Sequence, residues 1–282
     1  MKMSQNKKIT VMGILNVTPD SFSDGGRFNS FDEALFHTEQ MITDGADVID
    51  VGGETTKPGS QRLSLQEELE RVIPIVEAIK KRFDVQISVD TYKSGVAEQA
   101  IRSGADIIND ISGFTMDEKM PEIALKYQPT CILMHMQGTP LTMQDNPTYT
   151  DVCEEVFTSL LNRAKHFTQM GIKKIVLDPG FGFGKTTDDN YNLLAGISRL
   201  AAGGYPVLAA ASRKSMIADV LPADINVPPA QRMPGTLAVH TIAILNGASW
   251  IRVHDVKEAV QAVKVTEKYL EIINKKMKKN VD

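Results

Sequence analysis

The chain has 282 residues, 42% of them hydrophobic and 23% charged, and its 35 acidic and 31 basic side chains leave a formal net charge of −4. This is the composition of a globular protein with a sizeable core rather than a disordered or fibrous one, and its slight acidity offers no broad positive field to nucleic acid or anionic lipid, so neither is an expected partner. At ~150 residues per domain the length allows two domains, although a (β/α)8 barrel uses ~250 residues as one.

In chain order, Lys2, Lys7 and Lys8 precede the apolar run Ile9–Leu15, an arrangement that superficially imitates a secretory leader. Asn16 and the polar Thr18–Ser21 cut the run short, and no later stretch approaches the 18 apolar residues of a membrane span. Ile9–Leu15 is instead the first of eight short runs rich in β-branched or apolar residues. The others are Val48–Val51, Val85–Val89, Ile107–Ile108, Thr130–Met134, Ile175–Leu177, Val207–Ala211 and Trp250–Val253. Their brevity and near-continuous hydrophobicity are those of strands buried on both faces.

Helical patterns lie between them. Ser30-x-x-Glu33, Ser64-x-x-Glu67, Asp151-x-x-Glu154 and Asp255-x-x-Glu258 each predict a capped helix start. After Ser64, residues Leu65, Leu69, Val72, Ile73, Val76 and Ile79 form one apolar stripe, and Pro74 within it predicts a kink. The two cysteines, Cys131 and Cys153, have neither C-x-x-C nor zinc spacing and read as buried reduced thiols of a cytoplasmic protein.

Strand then helix, repeated about eight times, calls for a parallel sheet with right-handed crossovers. Loop lengths separate a closed barrel from an open sheet. The helix-to-strand joints are terse and alike (Asp44-Gly45-Ala46-Asp47, Ser103-Gly104-Ala105-Asp106, Asn246-Gly247-Ala248-Ser249), each reading as a glycine C-cap turning into a strand. The strand-to-helix joints at Asn16–Asn29, Gly52–Leu63, His135–Thr150 and Ser212–Gly235 are long. Elaboration on one face is the habit of a barrel whose site lies at the C-terminal ends of its strands. The expectation is therefore a single-domain (β/α)8 TIM barrel spanning residues 1–282.

Polar residues stand where the strands stop: Asn16, Asp50, Asp90, Asn109 with Asp110, Asp178, Ser212–Lys214, and Arg252 with His254. Carboxylates and amides on a dry floor suit a hydrogen-bond-rich heterocycle, and cationic groups at a rim suit an anion. A capping role for the next helix is the competing reading for Asp50, Asp110 and Asp255. Gly184-Lys185-Thr186 ends like a phosphate-binding loop, but that loop's first glycine would fall at Pro179, and the nucleotide triphosphatase reading fails. The glycines permit a tight loop with Phe181 or Phe183 covering an aromatic ligand. Arg252 and His254, two residues apart on one strand, project to one side as a candidate anion clamp.

Met12-Gly13-Ile14-Leu15-Asn16-Val17-Thr18-Pro19-Asp20-Ser21-Phe22-Ser23-Asp24-Gly25-Gly26 and Asp50-Val51-Gly52-Gly53-Glu54-Thr55-Thr56-Lys57-Pro58-Gly59 resemble the two signature segments of the dihydropteroate synthase family. Ser88–Thr91, Asn109–Ile111, Leu133–Gly138, Leu177–Lys185, Ser212–Ser215 and Arg252–Asp255 are similar to its remaining motifs, in order. The resemblance implies a TIM-barrel transferase of folate biosynthesis. Such an enzyme condenses a dihydropterin-methyl diphosphate with 4-aminobenzoate, with Mg2+ as cofactor, and is a homodimer and a sulfonamide target.

It also implies roles. Asp90, Asn109, Asp178 and Lys214 hold the pterin, with Met134 packing on the ring, and Asp90, Asp178 and Lys214 are the catalytic set. Asn16 ligates magnesium, and Thr56, Arg252 and His254 lie toward the diphosphate. Phe22, Pro58, Phe183, Ser212 and Lys214 form the aminobenzoate pocket. Lys57 stands where the family usually has arginine, keeping the charge but not the forked geometry. A pterin-using methyltransferase would share Asp90, Asn109 and Asp178 but need no diphosphate clamp, and a non-catalytic pterin binder would not be expected to keep Asn16, Asp20, Phe22, Thr56 and Pro58.

Overall fold

The computed structural model describes residues 8–17, 26–55, 62–222, 225 and 227–279, without the side chains of 26–30 and 277–279. Among the described residues there are eight strands: β1 Thr10–Asn16, β2 Val48–Gly52, β3 Gln86–Asp90, β4 Ile107–Asp110, β5 Thr130–Met134, β6 Ile175–Asp178, β7 Leu208–Ala209 and β8 Trp250–Val253. All pair in parallel, in the order β6-β5-β4-β3-β2-β1-β8-β7. A bridge between Leu177 and Val207, with the Leu177 N–H donating to Pro206 O at 2.9 Å, brings β6 to β7 and nearly closes the barrel. The helices are α1 Gly26–Thr43, α2 Leu65–Arg82, α3 Ser94–Arg102, α4 Met120–Tyr127, α5 Val152–Met170, α6 Thr187–Ala201, α7 Ser215–Ala218, α8 Met233–Leu245 and α9 Val256–Lys279. None among the described residues is long and apolar enough to cross a membrane.

Side chains along a strand alternate between faces, which sorts every strand into two sets. One set (Val11, Ile49, Val51, Ile87, Val89, Ile108, Cys131, Leu133, Ile175, Leu177, Ala209, Ile251 and Val253) packs outward in a single cluster with the helices. The other set meets in the lumen: Met12, Val48, Ile107, Ile132, Val176 and Leu208 form a separate buried cluster, with Trp250 against it. Burying each such side chain contributes about 1.5–3 kcal/mol. The lumen is thus filled by an apolar plug at its N-terminal end.

The terse joints behave as their sequence implies. Gly45, Gly104 and Gly247 have φ of 101°, 110° and 108°, a region that residues with a Cβ avoid. After Gly45 and Gly104 the aspartate two residues later then secures a neighbouring strand. Asp47 accepts the Val11 N–H at 2.9 Å and Asp106 the Ile87 N–H at 3.0 Å.

Helix starts follow the sequence in part. Ser64 and Glu67 form the full reciprocal capping box, and Asp151 accepts the Glu154 N–H. Ser30 is not a cap: α1 begins a turn earlier, at Gly26, since Arg27–Asn29 hold no proline or β-branched residue to stop it. Asp255 gives its carboxylate to the guanidinium of Arg213, at 2.6 and 3.1 Å, so its carboxylate is spent on an ion pair. α2 runs as one helix through Pro74.

Candidate active site

Two residues beyond most of the plug residues, on the same face, the chemistry changes, Met12 and Leu208 being followed by Ile14 and Ala210. Val48 is followed by Asp50, Ile107 by Asn109, Ile132 by Met134, Val176 by Asp178 and Trp250 by Arg252, while β3 ends on Asp90. Period-two alternation therefore sets a polar layer directly on the apolar plug, at the C-terminal end of the barrel.

The layer is a charge network. Arg252 donates from Nε to Asp50 Oδ2 at 2.6 Å and from Nη2 to Asp90 Oδ2 at 2.8 Å, and the Asn109 amide donates to Asp50 Oδ2 at 3.1 Å. That bond uses one of the two N–H groups of Asn109, leaving the other and the carbonyl oxygen as a donor and an acceptor for a ligand. Burial opposes the charge on Arg252, but Asp50 and Asp90 outweigh it and hold its pKa above the usual value. Burial pushes Asp90 up to about 7, against the pull of Arg252, and Asp178 up to about 6, partly offset by the Gly180 N–H that it accepts at 2.7 Å. Lys214 is lowered by burial, and next by Arg252, to about 8. Acids raised and bases lowered toward neutrality in one cleft mark a functional site.

Lys214 is held at the start of α7 by a pinned turn. Arg213 has φ of 59° and is fixed by its N–H to Thr236 Oγ1 at 3.0 Å, its fork on Asp255, and its carbonyl, which accepts Arg232 Nη1 at 3.0 Å. Those bonds over-determine a left-handed conformation that a side chain makes unfavourable. Lys214 Nζ lies 4.0 Å from the ring centroid of Phe183. Phe183 belongs to a third cluster with Tyr92, Ile111, Met134 and Met143, flanked by Met116 and Met136. Thioethers are polarisable and adapt to a flat ring. Of the two phenylalanines in the glycine-rich segment, Phe181 is wholly buried in the outer core and Phe183 faces the site.

His254 differs from the cationic half of a clamp. Ser212 Oγ accepts the His254 backbone N–H at 3.2 Å and lies 2.9 Å from Nδ1, and with two lone pairs and one proton the hydroxyl can partner Nδ1 in either tautomer. Burial, then Arg252, lowers the His254 pKa to about 3. It is a neutral ring, and Arg252 beside it carries the charge. Asp110 is a turn residue, accepting from Ser112 N and Oγ and Phe114 N at 2.7, 2.7 and 3.1 Å.

Asn16 ends β1, exposed. Its Oδ1 and Asp90 Oδ2 each lie 3.7 Å from where a Cβ on Gly52 would stand, so glycine leaves a cradle between two oxygen donors. No group of three or more His, Cys, Asp and Glu that could hold a metal occurs among the described residues. One or two oxygens in an open cradle fit magnesium, which keeps its waters and takes other ligands from phosphate, and do not fit zinc. Phe22, Thr56, Lys57 and Pro58 lie outside the described residues. Sequence reasoning left Asp50 as a strand-end residue without a site role, though its period-two relation to Val48 was readable. It missed Tyr92, Met116 and Met143, for which only the fold supplies a signal.

The family model described as pterin binding enzyme matches residues 12–254. The dihydropteroate synthase of Escherichia coli K12 is 51% identical over 259 residues, covering 91% of this chain and 90% of that one. A Yersinia pestis dihydropteroate synthase solved with a sulfonamide drug complex superposes with a TM-score of 0.87 at 46% identity, covering 95% and 96% of the two chains. The Xanthomonas albilineans dihydropteroate synthase, solved with 4-aminobenzoic acid, gives 0.86 at 39% identity over 94% of each; solved with 7,8-dihydropteroate it gives 0.83 at 38% over 95% of each.

Proposed function

The chain belongs to the dihydropteroate synthases of the pterin-binding enzyme family, transferases of a pterinylmethyl group, and from that premise we propose that it joins (7,8-dihydropterin-6-yl)methyl diphosphate to 4-aminobenzoate, releasing diphosphate and giving 7,8-dihydropteroate. The observation that carries this reading is the polar layer on the plug. The carboxylates of Asp90 and the buried Asp178, the amide of Asn109 and the Lys214 ammonium offer acceptors and donors at the depth where a flat heterocycle meets Met134 and Phe183.

The chemistry follows from charge. When the methylene C–O bond breaks, the electron pair leaves on diphosphate and the pterin becomes a delocalised cation. Asp90 and Asp178 would stabilise that cation, while Arg252 and the neutral His254 ring beside it are suited to the departing anion. Asn16 would hold magnesium, with water and diphosphate oxygens completing the coordination, and the ion would neutralise charge on the leaving group. The aryl amine then forms the C–N bond and gives up one proton to solvent. Its lone pair needs little activation against a cation, so no general base is invoked, and positioning supplies the protein's share. Ser212 and Phe183, with Phe22, Thr56, Lys57 and Pro58, are proposed to seat the aminobenzoate and the diphosphate. A sulfonamide, shaped like the aminobenzoate, would compete there.

The test is to mix purified chain, pterin diphosphate, 4-aminobenzoate and Mg2+ and follow diphosphate release. One diphosphate per dihydropteroate is expected, with loss of turnover in Lys214→Ala and Asp90→Ala. A folded chain that releases none overturns the proposal.

A further inference from the structure

The Gly184-Lys185-Thr186 segment that mimics a phosphate loop is used for something else. Lys185 is 4% exposed, and its ammonium is turned inward. Nζ donates to Phe183 O at 2.9 Å and His135 O at 3.2 Å and lies 3.3 Å from His135 Nδ1. His135 is lowered to about 3 by burial and by Lys185, so Nδ1 is an acceptor. The ammonium thus bolts the loop after β6 to the end of β5. That contact is intimate at two further points: a Cβ on Gly180 would stand 2.0 Å from His135 O, and one on Gly184 2.6 Å from Gln137 O. The loop carries Phe183, the platform under Lys214, and Asp178 stands at its start.

We propose that Lys185 is a positioning residue for pterin recognition: its ammonium fixes the Pro179–Gly184 loop so that Phe183 seats Lys214, and its charge helps keep Asp178 ionised to accept from the ring. A buried lysine with all of its bonds inside one loop junction would otherwise be an expensive way to hold two carbonyls, since a neutral donor would serve. The charge has work to do because burial favours the neutral form of Asp178. The groups opposing that are the Gly180 N–H, Lys214, Lys185 and Arg252. Burial lowers Lys185 in turn to about 7, against the pull of Asp178, with Lys214 lowering it further, Asp189 opposing that and His135 in contact, so its charge is fullest on the acid limb, where Asp178 takes up its proton.

This inference rests on the pterin reading of the site, and the experiment separates the two. Lys185→Met removes both donors and charge, Lys185→Gln keeps donors without the charge, and Lys185→Arg keeps both. Each is compared with the parent chain by calorimetric titration with 6-hydroxymethylpterin and by steady-state kinetics across pH. Lys185→Met is expected to bind the pterin about tenfold or more weakly, the scale for losing a charged hydrogen-bonding group. In both Lys185→Met and Lys185→Gln the acid limb of kcat/KM for the pterin substrate should move to higher pH, with Lys185→Arg restoring it. A purely structural lysine would lower Tm without moving that limb.

If pterin affinity and the acid limb are unchanged in folded Lys185→Gln, the proposal is wrong. Should Lys185→Met fail to fold, Lys185→Gln and Lys185→Arg still decide it. If the parent chain binds the pterin but forms no dihydropteroate, the proposed reaction fails while the affinities still test Lys185.

Discussion

Asp178 is 2% exposed and its carboxyl titrates near 6 in the fold against an ordinary 3.8, chiefly because burial penalises the ion. The sign of the consequence is fixed by linkage. The folded chain holds this proton more tightly than the unfolded chain, so ionisation works against folding above pH 6 and the penalty vanishes below about 4. Asp178→Asn keeps an acceptor for Gly180 and removes the ion. It should therefore unfold at higher temperature than the parent at pH 8, by on the order of 2 kcal/mol of stability, converge with it toward pH 4, and lose synthase turnover. Equal Tm values at pH 8 would show that the neighbouring cations repay the burial in full. A residue that destabilises the empty protein yet is retained at the floor of the cleft is what a binding site requires.

At the scale of elements, the loops after β5 and β6 must be read together, because each is the other's packing surface. Gly180 has φ of 71° and no room for a Cβ beside His135 O. Gly180→Ala combines left-handed strain with a backbone clash and should cost about 3 kcal/mol or more in urea unfolding; a loss below 1 kcal/mol would mean that the β5 end gives way freely. The sequence made the loop's tightness legible through its glycines, and the Ser64 capping box and the Asp151 cap through their spacing. It did not show which of Phe181 and Phe183 faces the site, because both lie in one apolar segment and only the φ-positive Gly182 between them sets the direction. Nor did it show that Asp255 pairs with Arg213 42 residues away, since a carboxylate before a helix reads as a cap unless the cation opposite is known.

For the whole molecule, the barrel was legible from eight short apolar runs and one-sided loop lengths, and the strands fall within a residue or two of the runs except β7. That strand is only Leu208–Ala209, shorter than its apolar run, and β6 meets it by one bridge while β1 and β2 share five register pairs. The β6–β7 seam is thus the barrel's weakest closure. Amides of Leu208 and Ala209 should exchange with deuterium about a hundredfold sooner than those of β2; comparable protection would place the weak point elsewhere. The polar layer was legible as strand-end residues, whereas the direction of Arg252 was not, because a guanidinium at a rim and one folded down onto Asp50 and Asp90 have the same sequence.

The apolar plug and the polar layer above it differ by two residues on β2, β4, β6 and β8, and β4, β6 and β8 are four residues long. Each of these has room for one lumen residue of each kind and no spare. The strands consequently have a reading frame. Deleting one residue ahead of Asn109 would turn Ile108 into the lumen and drive the amide into the helix layer, as a frameshift garbles every codon after it. Such a barrel can change its chemistry by substitution within the frame or by lengthening the loops outside it, and insertions in its lineage should be confined to those loops.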